Sequence, residues 1–97
     1  MLTEFEVRQR VAQIASSAAT PTRKVRLLIT LARSLKSQAR SLIHARALSV
    51  QDEDCNTASH LDRMLRSLRM QYEEVRLAAD RIRCESQSEA AREIALV

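Results

Sequence analysis

Apolar residues recur at intervals of three and four along most of the chain, the spacing that places side chains on one face of an α-helix. The first such stripe follows Thr3 and Glu6, which form a capping box at the start of a helix. Leu2 and Val7 are spaced to pack as a hydrophobic staple around it. We therefore predict a first helix over about residues 4–18. Its apolar stripe consists of Val7, Val11, Ile14 and Ala18.

A second amphipathic stretch begins after Thr20 and Pro21, the combination of an N-cap residue and a first-turn proline that commonly opens a helix. The predicted helix covers about residues 21–48. Further apolar residues on both sides of its seam widen the band, so we expect this helix to contact more than one neighbour. The seam alternates between intervals of three and four, as in a coiled coil, through Val25, Leu28, Ala32, Leu35, Ala39 and Leu42.

A third apolar stripe runs from Ala58 to Ile82, and it is out of phase with the seam of the second helix. We therefore predict a break between about Arg46 and Thr57, followed by a third helix over about residues 54–84. Because the connection between them is short, the two long helices are expected to run antiparallel.

The C-terminal residues allow two interpretations. Residues 86–89 read Ser-Gln-Ser-Glu, a second capping box, which fits either a short helix over 87–96 or the fraying end of the third helix. In both cases the predicted fold is all-α and a single domain over residues 1–97. An antiparallel hairpin of two long helices would pack with the shorter N-terminal helix as a three-helix or dimeric bundle. The absence of glycine supports this class and excludes glycine-rich nucleotide-binding loops.

The sequence also bears on localisation. No run of about 18 apolar residues is present, so we expect no membrane partner. The acidic start lacks the features of a signal peptide, and we expect a cytoplasmic protein with reduced thiols. Cys55 and Cys84 lie near opposite ends of the predicted third helix, too far apart to form a disulfide within one chain. In an antiparallel dimer, Cys55 could approach Cys84 of the partner subunit.

A second apolar stripe on the third helix repeats every seven residues away from the main seam. Its members are Met70, Leu77 and Cys84, which we interpret as an interface. The stripe needs cover from the first helix, from the C-terminal segment or from another subunit, and the first helix spans only about half the length of the long ones. A C2 homodimer is therefore the favoured arrangement. A monomeric three-helix bundle is the alternative.

Charge is distributed unevenly along the chain. The first 51 residues carry nine basic and two acidic side chains, and the remainder carries seven basic and ten acidic ones. On the second helix, Arg26, Arg33 and Arg40 repeat every seven residues, with Lys36 at the edge of the same face. We predict that these four residues bind a polyanion, because guanidinium groups bond phosphate oxygens well. The alternative is that they pair with acids of the third helix, namely Glu73, Glu74 and Asp80.

The sequence predicts no catalytic residues, no cofactor and no metal site. Acidic residues of the third helix stand four residues from an arginine, as Asp62 does from Arg66, which is typical of a salt-bridged surface. His44, Cys55 and His60 lie near the predicted turn, but no recognised metal-ligand spacing links them. One phenylalanine and one tyrosine are too few to form a stacking platform for single-stranded nucleic acid.

These observations favour a non-enzymatic helical protein–protein interaction module that self-associates, with a homodimer or a helical protein as its partner. The alternative function is a regulator that binds nucleic acid through the basic face of the second helix. The two differ in their expected salt dependence, because binding to a duplex weakens steeply with salt and an apolar helix contact does not.

Overall fold

The computed structural model describes residues 3–96, apart from the side chains of Glu93 and Leu96, and this range forms three helices without a strand. The predicted all-α class, with a short N-terminal helix and two long ones, is confirmed. Leu2, one half of the predicted staple, lies outside the described residues. The helices are α1 (Glu4–Ser16), α2 (Pro21–Gln51) and α3 (Cys55–Leu96).

The first two helices begin where their N-cap residues predict. Thr3 Oγ1 accepts a hydrogen bond from the backbone N–H of Glu6 at 3.2 Å, and Thr20 Oγ1 accepts one from the N–H of Arg23 at 3.3 Å. Each bond satisfies a first-turn N–H that has no partner inside its own helix. Pro21 occupies the first turn of α2, where its missing N–H leaves no hydrogen bond unmade.

Helix α1 ends at Ser16, two residues before its predicted end. At Ser17 the backbone becomes extended, with ψ of 160°. The hydroxyls of both serines donate to carbonyl oxygens of the last turn, Ser16 to Ala12 and Ser17 to Ile14, each at 2.8 Å. Serine hydroxyls compete in this way for backbone groups, so two consecutive serines favour an earlier end than the apolar pattern indicates.

The turn between α2 and α3 comprises residues 52–54, inside the predicted interval, although α2 continues three residues past its predicted end at about 48. Glu53 has φ of 58°, a left-handed conformation that costs a non-glycine residue about 1 kcal/mol. Its N–H donates to the carbonyl of Val50 at 3.1 Å, and the N–H of Asp54 donates to that of Ser49 at 2.8 Å. These are the two bonds of a Schellman motif, which closes the end of α2.

Asp54 caps the start of α3. Its carboxylate accepts hydrogen bonds from the Thr57 hydroxyl at 2.6 Å and from the Thr57 backbone N–H at 3.2 Å. Both bonds favour the charged carboxylate, the hydroxyl bond most strongly, and they lower the pKa of Asp54 below its ordinary value. The contribution of this cap to stability is therefore present at neutral pH, and it is lost as the pH falls through the pKa that Asp54 has in the folded chain.

Helix α3 continues without interruption to Leu96, so the separate helix over 87–96 and the helix end near residue 84 are both wrong, and residues 86–89 belong to the third helix, as the other interpretation had it. The chain has no glycine, and its one proline lies at position 21, so no helix-breaking residue follows the turn. The second capping box lies within α3. At 1.5 Å per residue, α3 is about 63 Å long and α2 about 46 Å, and the longest extent of the fold is 67 Å.

The hydrophobic core lies along the seam between the antiparallel helices α2 and α3, and α1 packs on one face of this hairpin. Glu4 lies beside Ser67 and Arg8 beside Glu74, so α1 runs parallel to α3. The Arg8 guanidinium donates hydrogen bonds to the Glu74 carboxylate at 3.3 and 3.2 Å, and these bonds, with the attraction between the two charges, raise the pKa of Arg8. Val7 is the one buried residue of α1 within the described range. The buried cluster consists of Val7, Leu28, Leu31, Leu35, Leu68, Val75 and Ala79.

One polar side chain, that of Gln71, is buried beside this cluster. Its Nε2 donates to the hydroxyl of Ser67 at 3.0 Å, and that hydroxyl donates to a carboxylate oxygen of Glu4 at 2.6 Å. A chain of two hydrogen bonds therefore connects the interior of α3 with the first turn of α1.

Candidate interaction surfaces

The predicted interface on α3 faces away from the core. Met70 is 61% exposed and Leu77 58% exposed, and Cys84 is also exposed with a free thiol. Helix α1 does not cover these side chains, and the C-terminal segment does not fold back over them because it continues α3 as one uninterrupted helix. Two of the three covers that the sequence allowed are therefore absent among residues 3–96. We refer to Met70, Leu77 and Cys84, together with the exposed residues Glu73 and Arg81, as the outer face of α3.

The outer face has a symmetric residue pattern about Leu77. Met70 and Cys84 each stand seven residues from it, and exposed Glu73 and Arg81, of opposite charge, each stand four residues from it. Positions seven and four residues away lie near the same side of a helix as the central residue. The pattern therefore places a carboxylate and a guanidinium at equal distances on either side of a central leucine.

The predicted polyanion-binding residues of α2, Arg26, Arg33, Lys36 and Arg40, are exposed. None of them takes part in the four ion pairs found in the described part of the chain. The acids that were their alternative partners bond other arginines. Glu74 pairs with Arg8, Glu73 with Arg76 and Asp80 with Arg83.

The predicted pairing of Asp62 with Arg66 is also wrong. Asp62 instead bonds Arg46 on α2, across the hairpin. The antiparallel packing brings the last part of α2 beside the first part of α3, and it offers Asp62 a partner that spacing along one helix does not reveal. The two ion pairs within α3, Glu73–Arg76 and Asp80–Arg83, join residues three apart at 4.0 and 3.9 Å, and all four side chains are exposed, so these pairs stabilise little.

Sequence reasoning missed a second arginine stripe, on α3. Arg69, Arg76 and Arg83 repeat every seven residues, as the arginines of α2 do. The hairpin brings the two stripes together, since Arg33 lines one cavity of about 430 Å³ with Arg76 and Arg83. The seven-residue spacing was a readable signal, but the acidic net charge of this half of the chain concealed it.

Three cavities along the seam form a continuous groove with basic walls. Their volumes are about 570, 430 and 380 Å³, and neighbouring cavities share lining residues. The apolar lining with accessible surface includes Ile29, Ala39, Ile43 and Leu65, which lie above the buried core of the seam. Two acids line the groove, Asp62 and Asp80, and both already pair with arginine. We define this basic groove by its cationic residues, Arg26, Arg33, Lys36, Arg66, Arg69, Arg76 and Arg83.

Lys36 and Tyr72 lie at the middle of the basic groove and line both of its larger cavities. The ammonium of Lys36 lies 5.9 Å from the centre of the Tyr72 ring, within the range of a cation–π contact between α2 and α3. No residue of α1 lines the three cavities, whereas a fourth cavity is lined by all three helices. The basic groove therefore lies on the face of the hairpin that α1 leaves open.

Among residues 3–96, no three His, Cys, Asp or Glu side chains come together in a group that could hold a metal ion. Within the same range, every helix is too short or too polar to cross a membrane.

Comparison with known proteins finds no matching family model, no matching curated protein and no matching solved structure.

Proposed function

We propose that this protein is a non-enzymatic helical interaction module that self-associates through the outer face of α3. One observation carries the proposal. Met70 and Leu77 are more than half exposed near the middle of a long helix, and no other part of the described chain covers them. Burying such side chains against a second copy removes apolar surface from water, at about 25 cal/mol for each Å².

The residue pattern of the outer face fits an antiparallel C2 pair with its axis at Leu77. A twofold interface brings the same patch of both subunits together. Leu77 then meets its own copy, and Met70 meets Cys84 of the partner subunit. At the layer between them, Glu73 lies opposite Arg81 of the partner subunit, so opposite charges face each other twice in the dimer. The symmetric spacing thus places opposite charges four residues to either side of the axis, where the two copies meet.

Leu77→Glu is expected to convert the dimer into a monomer. The substitution places two carboxylates against each other at the twofold axis, where the wild-type chain has two apolar side chains. Sedimentation equilibrium measures the mass directly. The matched control is Leu48→Glu, which adds the same charge at a comparably exposed leucine of α2. A wild-type chain that is already monomeric at high micromolar concentration, or a Leu77→Glu chain that keeps the dimer mass, contradicts the proposal.

The register of the dimer can be read from a disulfide. Leu77→Cys in a chain that also carries Cys55→Ser and Cys84→Ser should form a covalent dimer under mild oxidation, because the two Cβ atoms meet at the axis. The alternative register, in which Cys55 approaches Cys84 of the partner subunit, predicts a covalent dimer of the wild-type chain instead. Rapid cross-linking of the wild-type chain, with none at position 77, would reject the axis at Leu77.

Nucleic-acid binding is the second candidate function, and the exposure of Arg26, Arg33 and Arg40 without ion pairs in the described range supports it. Guanidinium groups that are not paired with a carboxylate are available for contacts with phosphate groups. If this candidate function is correct, mixed-sequence duplex DNA or RNA binds at low salt, and its affinity falls steeply when the salt concentration is raised. The triple change of these arginines to Glu should then abolish binding.

A matched triple variant is the control for this experiment. Arg10, Arg63 and Arg92 are exposed and lie outside the basic groove. Changing these three to Glu alters the net charge by the same amount. Equal losses in the two triple variants, or no binding by the wild-type chain at low salt, exclude a defined nucleic-acid site on α2.

A further inference from the structure

We infer that the basic groove binds an amphipathic helix of a partner protein that carries carboxylates on both sides of its apolar stripe. The inference rests on the proposed role as an interaction module, but it does not depend on self-association. The outer face and the basic groove are different surfaces. Leu77 and Arg76 are adjacent in sequence, and consecutive side chains of an α-helix point about 100° apart.

The fold itself shows how a helix packs on this hairpin. On one face, α1 packs along the hairpin, parallel to α3, and buries Val7 among side chains of both long helices. The basic groove is the corresponding crevice on the other face. It also offers apolar side chains with accessible surface from both helices, namely Ile29, Ala39 and Ile43 of α2 and Leu65 of α3. A helix laid in it would complete the packing of the α2–α3 seam from the second side, in the manner of a helix bound in a groove.

The charge of the walls specifies the partner further. Seven cationic side chains line the basic groove against two carboxylates, and of the seven only Arg76 and Arg83 pair with a carboxylate in the described range, at 4.0 and 3.9 Å. The cations stand on both walls, with Arg26, Arg33 and Lys36 on α2 and a heptad stripe of arginines on α3. A helix with Glu or Asp on both flanks of its apolar stripe would face a cation on either side. From Arg66 to Arg83 the α3 wall extends about 26 Å, which matches about five helical turns of the partner.

The apolar lining favours a protein helix over nucleic acid as the occupant. Ala39, Ile43 and Leu65 line the cavity of about 570 Å³ with apolar side chains that are exposed or partly exposed. A phosphate backbone gains nothing from such side chains, whereas the apolar stripe of a helix is removed from water by contact with them. Tyr72 is the only aromatic residue of the basic groove, which is too few for base stacking.

Tyr72 makes the inference directly testable. The chain has one tyrosine and no tryptophan, so its intrinsic fluorescence comes from a residue in the middle of the basic groove. The probe is a helical peptide of about three heptads with leucine at positions a and d, glutamate at e and g, and no aromatic residue. Titration with this peptide should change the tyrosine emission saturably. The same titration of the Leu77→Glu chain tests the basic groove independently of self-association.

Two charge variants decide whether the site is specific. Arg69→Glu with Arg76→Glu should weaken the peptide about tenfold or more, since both residues lie on the wall. Arg10→Glu with Arg92→Glu changes the net charge equally outside the basic groove and should leave the affinity within about twofold. All four arginines are exposed, so the variants are expected to keep the helical circular dichroism of the wild-type chain.

Three results would overturn the inference. Equal weakening in both variants would mean that the peptide senses only the overall charge. A peptide with glutamine in place of leucine that binds as tightly would mean that the apolar lining is not used. If duplex RNA displaced the peptide at concentrations below the dissociation constant of the peptide, the basic groove would be a nucleic-acid site.

Discussion

Leu28→Ala is expected to lower the free energy of unfolding by about 3 kcal/mol, because truncating a buried leucine leaves a cavity that the surrounding packing fills only in part. Leu28 is fully buried in the cluster between the long helices. Typical domains have a total stability of about 5–15 kcal/mol, so this single change removes a large fraction of it. The effect is measured by urea denaturation, at a fixed protein concentration because self-association adds to stability.

The adjacent residue is the matched control for this prediction. Leu27 is the same residue type in the same helix, but it is 42% exposed. Leu27→Ala is expected to cost less than about 1 kcal/mol, since much of that side chain already contacts water. If the two variants lost the same free energy of unfolding, α2 would be rotated about its axis so that Leu28 does not face α3.

Val7→Asp is expected to release α1 while the hairpin of α2 and α3 persists. Val7 is the fully buried anchor of α1, and an unpaired carboxylate in an apolar cluster costs several kcal/mol. The core between the long helices includes Leu35, Leu68 and Ala79 and remains available without α1. The helical circular dichroism should therefore fall by about one seventh, the share of α1 among the helical residues.

Limited trypsin digestion follows the same event. Arg10 lies within α1, and cleavage after it should become rapid only when α1 is released. Phe5→Asp is the control, because Phe5 is 73% exposed in the same helix. Complete loss of helical signal in Val7→Asp would show that the hairpin is not stable alone. Unchanged digestion at Arg10 would show that Val7 does not hold α1 in place.

The features that the sequence predicted well are those that depend on neighbouring residues. The starts of α1 and α2 follow from Thr3, Thr20 and Pro21, whose effects on the backbone extend over a single turn. The break between the long helices follows from the change of apolar phase, again a local property. Within these limits the order, type and approximate length of the helices could be predicted.

The end of α3 could not be predicted in the same way. A serine followed three residues later by glutamate opens many helices, but the same residues are also tolerated inside one. A helix stops where a breaker or a competing cap stops it, and residues 85–96 contain neither glycine nor proline. The motif Ser86–Glu89 was therefore ambiguous until the backbone was known.

The basic groove depended on tertiary packing. Arg69, Arg76 and Arg83 have the same spacing as the arginines of α2, but spacing does not say which way a stripe faces relative to another helix. That relation is set by how the apolar seams of both helices meet. The outer face was easier to predict, because the spacing along α3 alone shows that Met70 and Leu77 lie off its main apolar seam. Its cover by a second subunit stays a prediction.

The hydrogen-bonded chain from Gln71 through Ser67 to Glu4 limits how α1 can slide along the hairpin. Apolar contacts are non-directional, and a helix held by Val7 alone could shift by one turn, 5.4 Å, and still bury an apolar side chain. The same shift would separate Glu4 from Ser67 and break the one hydrogen bond of this hydrogen-bonded chain that joins α1 to α3, whereas the bond from Gln71 to Ser67 lies within α3 and would persist. The apolar residues thus hold the helices together, and the directional bond between Ser67 and Glu4 favours one alignment among several that apolar contact alone would accept.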